Sequence, residues 1–80
     1  MFYKVKTVRP LVDYQLLVTF ETGEQKKYRI SPLFDKWNAF QALTTVEGLF
    51  EQVKVDKGGY GVSWNDELDL SCNELYLNGV

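Results

Sequence analysis

The sequence predicts an α+β domain: a small antiparallel sheet of about five short strands in two hairpins, with a central helix and a short C-terminal helix. Three observations carry this. Apolar and polar residues alternate through most of the first thirty positions, broken by a glycine turn. A Ser-Pro pair then opens a run with apolar residues at helical spacing. Near the end, a serine followed three residues later by a glutamate marks a second helix start.

In "FYKVKTVRPLVDYQLLVTF", Tyr3, Val5 and Thr7 face one way and Lys4 and Lys6 the other, the period of a half-buried strand. Arg9-Pro10 is expected to interrupt it, because proline has no N–H for a ladder and pushes its predecessor to extended geometry. "DYQLLVTF" forms the next strand, with Tyr14, Leu16, Val18 and Phe20 on one face and Gln15, Leu17 and Thr19 on the other. In "ETGEQ" Gly23 supplies positive φ for a tight turn, and "KKYRI" returns with Tyr28 and Ile30 inward. Residues 12–30 therefore read as an antiparallel hairpin.

Ser31 is placed to cap the central helix and Pro32 suits its first position, where the missing N–H is an orphan anyway. Leu33, Trp37, Phe40 and Leu43 or Thr44 then fall on one face, read as core. Thr45 caps one further turn, and Leu49, Phe50 and Val53 pack. "QVKVD" reads as a fourth strand with Val53 and Val55 inward and Lys54 outward. Gly58, Gly59 and Gly61 have the spacing G-G-x-G, which lacks both the dinucleotide fingerprint and the ending of a phosphate loop. They fit a hairpin turn between strands 53–56 and 60–65, with Tyr60, Val62 and Trp64 on one face. Asn65-Asp66 makes a turn. Ser71 is the N-cap of the last helix and Glu74 its capping-box partner, with Leu70 and Leu75 as the hydrophobic staple.

Eighty residues with 45% hydrophobic content support a single domain, residues 1–80, with one modest core. No apolar run is long enough to span a membrane, and "MFYKVKTVRP" lacks a leader pattern. The one cysteine, Cys72, cannot form an internal disulfide, which points to a reducing, cytoplasmic setting. At the first helical position its thiol would also feel the helix dipole, so a reactive thiol stands beside the inert reading.

The chain has no histidine. Ser-His-Asp and Cys-His catalysis and His-based zinc sites are thereby excluded. Asp66, Glu67, Asp69 and Glu74 miss the spacing of a calcium loop. No cofactor, no metal and no enzymatic activity are expected. An enzyme, the weakest of the readings, would have to centre on Tyr60, Trp64, Asp66 and Asp69.

Charge is unevenly placed. Residues 1–36 carry seven bases against four acids, and residues 37–80 two bases against seven acids, within a net charge of −2. Either the halves neutralise each other across the fold or they mark partner surfaces. The leading reading is a protein-interaction module with Tyr60, Trp64, Asp66, Asp69 and Tyr76 as its contact patch. The alternative is a nucleic-acid binder with Lys4, Lys6, Arg9, Lys26, Lys27 and Arg29 as a basic face and Tyr3, Tyr14 or Tyr28 for stacking. An isoelectric point near 5.0 counts against it. Homodimerisation through an edge strand is a further option.

The order of parts, "YKVK", "DYQLLVTFETGE", "SPL", "LFEQVKVD" and "VSWNDELDLSCNELY", resembles a bacterial family, the domain of unknown function numbered 2442. The most specific match is carried by Trp64, Asp66, Leu68, Asp69, Leu70, Ser71, Leu75 and Tyr76. The resemblance implies a small α+β sheet domain, similar to the N-terminal domain of some helix-turn-helix proteins. It implies no established activity, and it suggests one half of a toxin–antitoxin-like gene pair, hence a protein partner. Eighty residues leave no room for the appended DNA-binding helices of longer relatives.

Overall fold

The computed structural model describes residues 4–80, so Tyr3 lies outside the described residues. Two three-stranded antiparallel sheets and three short helices make up the α+β fold. The first sheet comprises β1 (Val5–Leu11), β2 (Gln15–Phe20) and β3 (Gln25–Arg29), in that spatial order. After α1 (Ser31–Lys36) and α2 (Ala42–Thr45) comes the second sheet, β4 (Lys54–Val55), β5 (Gly61–Ser63) and β6 (Asp69–Ser71). The last helix, α3 (Cys72–Asn78), follows β6 directly.

The alternation read in β2 sets the core. Leu16, Val18 and Phe20 are fully buried, while Gln15, Leu17 and Thr19 lie on the other face. Gly23 takes φ 93° in the β2–β3 turn, where Phe20 N–H donates to Glu24 O and Gly23 N–H to Phe20 O. In β1 the alternation slips. Val5 pairs with Phe20 but Thr7 with Thr19, so a bulge at Lys6 leaves Lys6 and Thr7 both exposed before Val8 turns inward. Thr7 does not share the face of Val5. Nor does Arg9-Pro10 end the strand: Pro10 pairs with Leu16 inside β1, which is tolerated because β1 is an outer strand of its sheet.

The central helix is not continuous. Trp37 adopts extended angles (φ −135°, ψ 119°) between α1 and a 3₁₀ turn at Asn38–Gln41. Leu33, Phe40 and Leu43 are buried as expected, but the break turns Trp37 out to 46% exposure. Ser31 is the first helical residue rather than the cap. In the segment before β4, Leu49 and Phe50 join the core and the buried Trp64 donates its indole N–H to Phe50 O at 3.1 Å. Trp64 also meets Phe40 edge to face at 6.1 Å, so it anchors a stretch with little regular structure of its own.

The β4–β5 hairpin forms at the glycines, with Lys54 opposite Ser63 and Val55 opposite Val62. A sixth strand, β6, was not expected from the sequence. It pairs Val62 with Leu70 and brings the backbones so close that a Cβ on Gly61 would sit 2.3 Å from Leu70 O. Ser71 caps α3, its hydroxyl accepting from Glu74 N–H at 3.1 Å, and Leu70 and Leu75 are both buried.

Gly61→Ala cannot be absorbed by a flexible side chain, since the obstructing atom is backbone. It is expected to cost about 1–3 kcal/mol in denaturant unfolding. Ser71→Ala should cost about 1 kcal/mol in the same assay.

Candidate nucleic-acid interface

Cross-strand register sorts the charges of the first sheet. On the face away from the core, Thr7, Thr19 and Gln25 form one row, Arg9, Leu17 and Lys27 the next, and Leu11, Gln15 and Arg29 the third. Lys6 joins this face through the bulge. No acid lies in β1, β2 or β3, because Asp13, Glu21 and Glu24 all fall in the connecting turns. Arg9 and Lys27 flank Leu17, about 10 Å apart across two strand spacings. The result is a flat face with Lys6, Arg9, Lys27 and Arg29 exposed around a half-buried leucine.

The face continues over β3 into a groove of about 390 Å³ between β3, α1 and α3. Lys27, Arg29 and Lys36 line it together with Tyr28, Pro32 and Leu33, and α3 and the chain after it add Glu74, Asn78 and Val80. Beyond Lys36, its ammonium lies 4.8 Å from the Trp37 ring. Helical spacing with Leu33 and Phe40 predicts a core position for this aromatic, yet it is exposed. The signal that would have freed it, a helix break, is not written in the local sequence as glycine or proline.

Two cations of the expected basic set do not belong to the face. Lys26 points to the core side at the sheet rim, where its Nζ donates to Tyr76 O at 2.6 Å and lies 4.0 Å from the Tyr76 ring. Lys4 sits 5.6 Å over the ring of Tyr60, beside the β4–β5 turn. Two of the tyrosines expected to stack, Tyr14 and Tyr28, are also occupied. Tyr14 packs edge-on against Phe34 and Phe50, and Tyr28 is buried with its hydroxyl donating to Glu74 Oε2 at 2.7 Å.

The patch expected for a protein partner is split apart. Trp64 is a core residue, 4% exposed, and therefore unavailable for contact. Tyr76 is half-buried, meets Phe20 edge to face at 5.1 Å and donates its hydroxyl proton to Glu24. Tyr60 does not share the inward face of Val62 but is 64% exposed in the turn before β5. Asp66 and Asp69 are exposed at the other end of β5, Asp69 in β6 opposite Ser63 and Asp66 in the turn in which Asn65 accepts from the N–H groups of Glu67 and Leu68. Only Asp66 and Asp69 remain neighbours.

Glu74 does not complete the capping box with its side chain; Tyr28 and Asn78 hold it instead. Cys72 is buried, and burial pushes its thiol pKa up, against the lowering expected at a helix start. Among the described residues no group of three or more metal-ligating side chains gathers, and no helix is long and apolar enough to cross a membrane.

The family model for "Protein of unknown function (DUF2442)" matches residues 5–80. Among solved structures the chain is similar to a putative DNA-binding protein from Nitrosomonas europaea, with a TM-score of 0.68 and 26% identity. That match covers 82% of this chain and 42% of the other, so this chain spans less than half the length of that neighbour. No curated protein matches.

Burial, and the hydrogen bond and negative charge of Glu74, raise the pKa of Tyr28 well above its ordinary 10.0. The phenol then keeps its proton in the folded state where the unfolded chain loses it. Its contribution is complete below about pH 10 and declines as pH rises above that. Tyr28→Phe should be less stable than the parent at neutral pH, and its stability should fall less between pH 9 and 11, as read by denaturant midpoints.

Proposed function

We propose that this chain, which belongs to the DUF2442 family of proteins of unknown function, is a binding module rather than an enzyme, and that its working surface contacts the phosphate backbone of nucleic acid. One observation carries the reading: the outer face of the first sheet presents Lys6, Arg9, Lys27 and Arg29 without an intervening acid. Phosphate contacts need only spaced cations on an accessible surface, and they position a nucleic acid without reading its sequence. The description of the Nitrosomonas europaea neighbour as a putative DNA-binding protein supports the same reading. Four cations make a modest electrostatic footprint, so affinity should be weak at physiological salt.

A second reading, a protein-interaction module of the antitoxin-like kind, is favoured by residues at the two ends of β5. Tyr60 is exposed at one end of β5, beside Lys4, and Asp66, Glu67 and Asp69 are exposed at the other. An acidic surface of this kind complements a basic partner.

Binding to labelled DNA at low salt separates the two. The log of affinity against log of salt should fall with a slope of about −3 to −4, and Arg9→Glu with Lys27→Glu should remove most retention. Asp66→Lys should leave it intact. Absence of binding at low salt would sink the nucleic-acid reading. Co-purification of a protein that is lost with Tyr60→Ala and Asp66→Lys, but kept with the Arg9 and Lys27 reversals, would establish the second.

A further inference from the structure

We infer that Trp37, with Lys36 beside it, is a stacking platform for an unpaired base, so that the strand held on the cationic face is single-stranded; this rests on the nucleic-acid reading above. Single-strand binders combine a positively charged track for the backbone with aromatic rings on which bases stack. Both parts are present and adjacent. Arg9, Lys27 and Arg29 form the track on the sheet, the groove beside β3 joins Lys27 and Arg29 to Lys36, and Lys36 lies against the Trp37 ring.

The two tryptophans differ in a way that matters. Trp64 is buried and its indole N–H is satisfied by Phe50 O. Trp37 is nearly half exposed and tilted at 37° against Phe40, with ring centroids 5.9 Å apart, so Phe40 supports it from the core side. The extended backbone at Trp37 is what carries the ring out of the helical stripe. The ring therefore stands at the end of the cationic path, backed by the buried Phe40 ring.

A paired base keeps its faces covered by its neighbours in the duplex, whereas an unpaired one offers a free face to the indole. Two acids border the path. Asp35 is next to Lys36 in sequence, and Glu74 lines the groove, where it accepts from Tyr28 and Asn78. Asp35 falls between Arg29 and Lys36 in sequence but does not line the groove, and Glu74 is already engaged.

The test is tryptophan emission of the intact 80-residue chain titrated at low salt with oligo-dT and with a duplex of equal length. Because Trp64 is buried, quenching reports Trp37. Oligo-dT should quench the emission and bind more tightly than the duplex, while the duplex binds with little quenching. Trp37→Ala should weaken oligo-dT binding about 5- to 150-fold and abolish the quench. Its effect on duplex affinity should be small, with circular dichroism confirming that it folds. Trp37→Phe should retain part of the affinity, which a merely structural role would not predict for binding alone. Oligo-dT binding with unchanged emission, equal affinity of Trp37→Ala, or preference for the duplex would overturn the stacking platform while leaving the cationic face in place. Failure of both nucleic acids to bind would overturn the platform and the proposed function together.

Discussion

Three consecutive residues of β3 hold the last helix and the chain beyond it, and most of the fold depends on that clamp. The Lys26 ammonium reaches Tyr76 O, fifty residues away in sequence. Lys27 exchanges backbone hydrogen bonds with Val80 in both directions, and the Tyr28 hydroxyl reaches Glu74. A single three-stranded sheet of this length covers little core by itself. Because β6 runs without a break into α3, fixing α3 on β3 also fixes the second sheet. One hydrophobic cluster then draws on both sheets and all three helices. The rim of the clamp is polar but its base is apolar: Phe20 lies under the Tyr76 ring and Leu75 is fully buried.

The same clamp decides which charges face solvent. Strand alternation sends Lys26 and Tyr28 toward the helix, and Lys27 and Arg29 to the other face. Of the four acids in residues 1–36, Asp13, Glu21 and Glu24 lie in the turns of the first sheet and Asp35 in α1, so none falls in its strands, which are depleted of such side chains. Period-2 sorting and turn placement together separate charges that are mixed along the chain.

Local features of this architecture were legible in the sequence. The Gly23 turn, the inward set Leu16, Val18 and Phe20, the β4–β5 hairpin and the Ser71 cap each depend on neighbours within a few residues, and each is found. What escaped depends on tertiary partners. The bulge at Lys6 is fixed by register against β2, and Pro10 is admitted to β1 only because that strand is outermost. β6 is three residues long and exists through its pairing with β5. Helical spacing placed Trp37 with Leu33 and Phe40, yet the chain breaks there so that Phe40 can meet Trp64. The cations of the candidate face were therefore legible, apart from Lys4 and Lys26, while the aromatic beside them was not.

Net charge was the main argument against nucleic acid, and the sheet shows why it is a weak one for a domain this small. Screening length at physiological salt is about 8 Å. A ligand lying on the outer face meets its immediate row of side chains at full strength and more distant charges only in attenuated form. Arg9 and Lys27 stand about 10 Å apart with leucine between them, so their fields overlap over the middle of the face. Asp66, Glu67 and Asp69 belong to the turn and strand at the far end of the second sheet and contribute little across that distance once salt is present. At low ionic strength their reach grows, and the total of −2 begins to oppose an approaching polyanion. Local pattern therefore governs contact and net charge governs approach, and a sheet that alternates its side chains can set the two at odds.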